Sequence, residues 1–455
     1  MHEIEKLICS ILPNLASLVC YTRELAEVVA RCGRMKTERR RIWKCLIFAI
    51  FLTLLAFVSG GCAEDTYTVC SSGCDYTSIQ AAINAAHTGD TIEVHSGTYY
   101  ENVNVAKPLI LRGKDTGGGK PAVDARGGGS AITLNANGIT VDGFTAINAS
   151  SYSQAGILVR SNDSIVINNT ASNNGYGIYL LSSSYNTITG NTASNNYYGI
   201  YLLSSSYNNL TSNIANSNNF YYGIFLASSS NITLTDNIAS NNYFGILLDS
   251  SNNNFLTSNT ASNNSYGISL GSSSTNTLAG NTANSNNYHG ILLSESSNNN
   301  TLTDNTVSNN SNVGIYLDYS SNNILTGNIA NSNNEFGIYL LSSSNDNHIY
   351  NNNFNNTNNA WDDCTNIWNI TKTTGTNIIG GSWLGGNYWS DYTGEDTSGD
   401  GLGDTLLPYN SSGYIVNGGD WLPAQQPSIP GFEAIFAFSS VLALVYVLRR
   451  TSRRI

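Results

Sequence analysis

The sequence predicts an all-β protein, a right-handed parallel β-helix solenoid of about 22-residue turns with an N-terminal capping helix and a small C-terminal cap. Three columns of residues predict it. Between Gly156 and Leu340 the motif Gly-Ile-x-Leu recurs nine times at intervals of 21 to 24 residues, Val159 standing for leucine in the first copy. Isoleucine and leucine two apart share one face of a short strand. A second apolar column runs Val166, Ile188, Leu210, Leu234, Leu256, Leu278, Leu302, Leu325, Ile349. Three residues after each member stands an asparagine, from Asn169 to Asn352, and two further on a small apolar residue, from Ala171 to Ala330. Asparagine stacked at one corner can form an amide ladder that satisfies buried backbone at the bend. The Ser-Ser-Ser and Asn-Asn runs between the columns suit tight turns. Disorder would impose no such register.

The elements follow in order. Residues 1–34 read as an upstream extension, because Met35 is the only methionine besides Met1. Residues 35–62 carry a basic start, the apolar run Leu46 to Val58 and then Ser-Gly-Gly-Cys-Ala, which is an export signal ending near Cys62 or Ala63. Residues 63–90 form the N-terminal cap. There Ile79, Ala82, Ile83 and Ala86 recur at helical spacing, and a helix over the open end protects strand edges. Cys70 and Cys74 are candidates for a disulfide in an oxidising exterior.

Residues 91–356 are the repeats, less regular from Thr91 to Ala149. Nine regular turns at about 4.8 Å each make a rod about 40 Å long. With the capping segment Tyr76–His87 and the start Gly89-Asp-Thr-Ile-Glu-Val-His, residues 76–356 resemble the NosD-type β-helix family, often labelled periplasmic copper-binding. The resemblance implies the fold and leaves activity open, since related repeats occur in pectate lyases, epimerases and surface proteins. Copper is not supported: soft copper sites use Met, Cys or His, no methionine follows Met35, and His87, His95, His289 and His348 are scattered.

Residues 357–424 hold five of the six tryptophans, Trp361, Trp368, Trp383, Trp389 and Trp421, as a compact cap would. The segments Gly386-Asn-Tyr-Trp-Ser-Asp-Tyr and Asp396–Asp404 resemble the ending of archaeal surface members of that family. The second alternates oxygen ligands as a calcium loop does: Asp396, Ser398, Asp400, the carbonyl of Leu402, and Asp404, with Gly401 for the sharp turn. It lacks the acidic twelfth position of an EF-hand. Residues 425–455 carry Pro430-Gly431-Phe432-Glu433, the apolar segment Ala434 to Leu448, and Arg449, Arg450, Arg453 and Arg454. That apolar segment is about 22 Å long as a helix, short for a permanent span. The tail resembles the PGF-CTERM signal processed by archaeosortases. The resemblance implies an archaeal cell-surface protein whose tail anchors it or is replaced by a lipid.

Between Ala63 and Glu433 there are 7 basic and 26 acidic residues, a net of −19, which argues against nucleic-acid binding. Sequons at Asn148, Asn162, Asn209, Asn231, Asn263, Asn299 and Asn369 would accept glycans on an exported protein. A lyase of this architecture needs a base, yet from Val141 to Asn356 the one basic residue is Arg160. Asp249 and Asp318 share a column three turns apart, about 14 Å, as do Asp236 and Asp304. A glycosidase pair needs about 5 to 10 Å. The outward residues Tyr179, Tyr201, Phe225, Tyr316 and Tyr339 are expected to form an exposed column able to stack on sugars. A further aromatic column precedes the glycines, from Tyr176 to Phe336. The expectation is an exported envelope rod, structural or adhesive, whose partners are envelope polymers or glycans. A carbohydrate-active enzyme of pectate-lyase-like fold is the alternative.

Overall fold

The computed structural model describes residues 64–425 apart from Tyr152, Asn219 and Phe220. The extension, the export signal and the tail with Pro430, Gly431 and Phe432 lie outside the described residues. Among the described residues no helix is long and apolar enough to cross a membrane.

The chain winds as a right-handed parallel β-helix with three faces. The first face has thirteen strands, from β1 (Thr66–Val69) to His348–Tyr350, which at about 4.8 Å per strand makes a rod of about 58 Å. The second has twelve, from Val103–Val105 to Ala360–Asp362. The third has five at one end and four at the other, linked through single-residue bridges at Ile214, Ile238, Thr260 and Thr282. Between the caps, each turn pairs in parallel with the next.

The predicted columns are the core. Ile157, Ile178, Ile200 and Ile224 lie opposite one another in successive turns, and the register continues to Ile338. Every named Ile and Leu of that motif is fully buried, as are Val166 to Ile349 and Ala171 to Ala330. The repeat glycine is required by contact: a Cβ on Gly223 would lie 2.6 Å from the Gly245 carbonyl oxygen and 2.7 Å from Asn242 Nδ2.

Asn242 belongs to a ladder that the sequence reading did not separate from the loops. The expected ladder exists: Asn169, Asn191, Asn213 and their successors each donate Nδ2 to the next Oδ1, at 2.9 to 3.1 Å, as far as Asn387. A second ladder runs from Asn174 through Asn196 to Asn356. A third runs from Asn186 and Asn208, is interrupted by Ile232, and resumes from Asn254 to Asn366. A serine ladder, Ser183, Ser205, Ser229, Ser251, takes backbone N–H groups on its hydroxyls. Each inward residue follows a corner residue in the left-handed region, such as Ser182 (φ 51), Tyr185 (φ 60) and Asn195 (φ 60). Gly tolerates that conformation best, with Asn and Asp next; here Ser and Tyr adopt it too, and each turned corner aims the next side chain inward. The runs read as turns are thus alternately turn and interior.

The caps close both ends. Helix α1 (Ile79–Ala85) buries Ile79, Ala82 and Ile83 on the first turn, where Ala86 is also buried. Its N-terminus is held by Glu101, which accepts from the N–H groups of Ile79 and Gln80. Strand β2 (Thr91–His95) follows and pairs with β1. At the other end Trp368 and Trp389 are buried, whereas Trp361 sits on the last rung of the second face and Trp421 is exposed. The three asparagine ladders each end on a carboxylate there: Asn387 donates to Asp420, Asn366 to Asp362, and Asn359, whose Oδ1 accepts from Asn356 N, to Asp391.

Candidate functional site

The second face carries an aromatic strip because residues before and inside the Gly-Ile-x-Leu motif point away from the core. The column Tyr179, Tyr201, Phe225, Tyr316 and Tyr339 does point outward, but the expected exposure is corrected. Tyr179 is buried and the others are half-buried. The column preceding the glycines folds against them: ring centroids lie 4.6 Å apart for Tyr176 and Tyr179, and 4.6 Å for Tyr222 and Phe225. Rings of successive turns also stack, Tyr179 on Tyr201 at 5.1 Å and 4°, Tyr201 on Phe225 at 4.9 Å and 9°. In that stretch each ring face is taken by a neighbouring ring, so the strip presents edges and hydroxyls. Leu247, Ser269 and Leu292 interrupt the column before Tyr316.

On this strip the exposed rings lie two residues before the glycines, at Tyr221, Tyr243 and Tyr288, 39 to 45% exposed, while Tyr185, Tyr207 and Tyr319, more exposed still, stand at left-handed corners of the turn. The sequence reading missed this column, although its 22-residue spacing from Tyr221 to Tyr243 was visible. Burial raises the hydroxyl pKa along the strip, to about 12 for Tyr316. His289 lies between Tyr266 and Tyr316, and desolvation pulls it down to about 4, leaving a neutral imidazole at neutral pH. Its Nδ1 has no hydrogen-bond partner.

Asp249 and Asp318 stand in one column, separated by Gly271 and Ser294 in the intervening turns. Neither is joined by a cation within the repeats, since the next basic residue after Arg160 is Lys372.

In the acidic loop, Asp396 accepts N–H bonds from Gly399, Asp400 and Gly401. Asp404 accepts from Ser398 N and Thr397 Oγ1, and Leu402 N donates to Asp400. Gly399 and Gly401 take positive φ, 76 and 87°. Asp400 is paired with Lys372, whose ammonium also lies 4.7 Å from the Trp383 ring centroid. Those bonds hold the Asp400 and Asp404 carboxyls below the usual range. The loop carboxylates are therefore engaged by donors of the chain itself, and Asp396, Asp400 and Asp404 do not gather their oxygens at one point. Among the described residues the one convergence of three donor atoms within 4.8 Å is Cys70, Cys74 and His95. Cys70 and Cys74 are joined in a disulfide.

Fold and surface define a class: a capped, acidic β-solenoid with an apolar core, ladder-lined corners and an aromatic face. Within it, the repeat region resembles the NosD-type parallel β-helix family. Residues 217–394 match the family described as periplasmic copper-binding protein (NosD), and residues 124–261 match the right handed beta helix region. No curated protein matches the chain. Among solved structures, the A-module of mannuronan C-5 epimerase AlgE6 from Azotobacter vinelandii is 16% identical with a TM-score of 0.53, over 64% of this chain and 90% of that one. DFA-IIIase from Arthrobacter chlorophenolicus A6, without its lid, is 13% identical with a TM-score of 0.52, over 67% of this chain and 98% of that one. At these identities the likeness is one of fold.

Proposed function

We propose that this protein is an exported, surface-attached β-helix rod of the cell envelope, with a structural or adhesive role toward envelope polymers. The observation that carries the reading is the closed stack: apolar columns fill the interior, amide and serine ladders line its corners, and both ends are covered. Such a rod holds its surface in fixed register while its −19 charge between Ala63 and Glu433 keeps it soluble and attracts cations. The export signal, the PGF-type tail and the periplasmic name of the matched family support export. Surface attachment, an archaeal source and processing by an archaeosortase-like enzyme belong to the same proposal and rest on the tail sequence. Protease shaving of intact source cells tests it. Release of peptides from residues 64–425 without lysis is expected, and peptides recovered only after lysis would overturn the surface assignment.

Glycan binding enters through the column Tyr221, Tyr243 and Tyr288, whose rings, although Tyr221 stacks on Tyr198 and Tyr288 on Tyr266, keep exposed surface for sugar stacking. On a glycan array, replacing these three by alanine should abolish binding, while Tyr201→Ala should leave it. The calcium loop is retained as a proposal in which Ca²⁺ displaces Lys372 from Asp400 and draws Asp396, Ser398, the Leu402 carbonyl and Asp404 together.

One observation favours the enzymatic alternative: His289 is a neutral imidazole among tyrosines with an unpartnered Nδ1, free to hydrogen-bond a substrate hydroxyl. The names of the similar structures, an epimerase of mannuronan and DFA-IIIase, agree with a carbohydrate substrate. Turnover of uronate polymers that vanishes in His289→Ala would establish that reading over the rod.

A further inference from the structure

Strands β1 and β2 pair in parallel with Val69 opposite Val94, so the residues that follow, Cys70 and His95, come side by side. The chain then turns through Gly73, at φ 85°, and returns at Tyr76, whose carbonyl accepts from the Cys70 N–H at 3.1 Å. That turn brings Cys74 back to Cys70. His95 Nδ1 lies 3.6 Å from Cys74 Sγ, and all three donor atoms fall within 4.8 Å of one another. The other ring nitrogen, Nε2, is 3.1 Å from Glu93 Oε1, and Lys114 Nζ holds the same oxygen at 2.7 Å. A carboxylate on Nε2 makes that nitrogen the N–H donor and leaves the Nδ1 lone pair facing the sulfurs. This is the arrangement that metal-binding histidines share.

We propose that reduction of the Cys70–Cys74 disulfide opens a Cys₂His zinc site, with Cys70 Sγ, Cys74 Sγ and His95 Nδ1 as ligands and Glu93 as the partner that orients the histidine. A dithiol reductant supplies two electrons and two protons. It becomes a disulfide as the Cys70–Cys74 bond breaks to two thiols, which release their protons when Zn²⁺ binds as the dithiolate complex. The geometry suits the ion. Zn–S bonds of about 2.3 Å and Zn–N bonds of about 2.0 Å at a tetrahedral angle set sulfur and nitrogen about 3.5 Å apart, close to the 3.6 Å separation here. The two sulfurs must part to about 3.8 Å, a movement within one short loop. The Cys-x₃-Cys spacing falls within the Cys-x₂₋₄-Cys range of zinc ligands. Three protein ligands leave a fourth position for water or an outside group. The site lies on the N-terminal cap, away from the aromatic strip and the acidic loop, and does not depend on their roles.

The test uses the full chain, reduced with a phosphine, freed of reductant under anaerobic conditions and titrated with Zn²⁺ against a chromogenic chelator. The wild type should bind one more zinc per chain than a Cys70→Ser, Cys74→Ser double variant, which measures the background from the other cysteines. The oxidised protein should lack that extra ion. Glu93→Gln should weaken binding about 10- to 100-fold, and His95→Ala should weaken it further. X-ray absorption on zinc-loaded wild type should read two sulfur ligands and nitrogen or oxygen beyond, independently of how any variant folds. Equal zinc content in wild type and the double serine variant, wild-type affinity in His95→Ala, or an all nitrogen/oxygen shell would overturn the proposal.

Discussion

Asn259 shows how much one side chain does inside this stack. Its Oδ1 accepts from Asn237 N and Nδ2 at 2.9 and 3.0 Å, and its Nδ2 donates to the Leu234 carbonyl and to Asn281 Oδ1. All of these groups are buried, so the bonds have no water to replace them. Asn259→Leu keeps the volume and deletes four bonds; it should cost about 3 kcal/mol, because the Asn237 N–H is left without an acceptor. Urea denaturation checks this, and a loss under about 1 kcal/mol would mean the ladder relaxes around the gap. The isoleucines and leucines were legible because apolar side chains at spacing two have one destination. The inward serines and asparagines were not. Ser182 and Ser183 are the same residue type, and only the left-handed corner at Ser182 turns Ser183 into the interior. A polar run carries no hydrophobic contrast to mark which member faces in.

At the scale of the element, the C-terminal cap carries the clearest pH signature. Asp420 is enclosed by donors from Asn387, Trp389 and Leu422, yet burial pushes its carboxyl up from 3.8 to about 6. A raised carboxyl stabilises the fold fully below the unfolded value and loses that contribution as pH rises through about 6. The stability of wild type relative to Asp420→Asn should therefore fall by about 3 kcal/mol between pH 4 and pH 7, the equivalent of some two pKa units. Denaturation followed by tryptophan fluorescence reads it, and a difference that is flat with pH would refute it. Asp400 and Asp404, held low, act in the opposite sense: their contribution is present above the usual carboxylate value and is lost as pH falls through their folded values. If the Asp396–Asp404 loop takes calcium, a hundredfold excess over Kd should stabilise the cap by about 2.7 kcal/mol. Melting with millimolar calcium and then with EGTA decides the matter, and Asp400→Ala should abolish any difference. The ligand types of that loop were legible in the sequence, whereas Lys372 was not, because it reaches Asp400 from 28 residues away. The aromatic columns were legible as columns. Their mutual cover depends on ring packing between turns, which spacing along one strand does not contain.

For the whole molecule, nearest-neighbour stacking means that a turn can be removed. Deleting residues 245–266 joins Phe244 to Gly267, which takes the place of Gly245 beneath Gly290. Every column keeps its register, so the protein should fold with parallel β circular dichroism and a rod shorter by about 4.8 Å in small-angle scattering. Deleting half as many residues should abolish folding, because the inward positions would then meet corners. Survival of both deletions would show that register is looser than the ladders imply. The architecture was legible from the repeat alone. The role was less so, because an envelope rod and a polysaccharide enzyme can share one scaffold and differ in a few side chains.

The carboxylates that end the three amide ladders give the rod an electrical direction. Along the ladder from Asn169 to Asn387 the Nδ2 of each turn points to the Oδ1 of the next, so the side-chain dipoles add along the axis as peptide dipoles do in a helix. The positive pole of each row emerges at the last turn, where Asp420, Asp391 and Asp362 neutralise it. A turn added beyond these aspartates would find its amides facing anions that already hold the donors beneath. The cap is thus a stop signal as well as a lid. It fixes the number of rungs and leaves the acceptor end, where Asn169 Oδ1 takes the Phe144 N–H, as the pole of opposite sign.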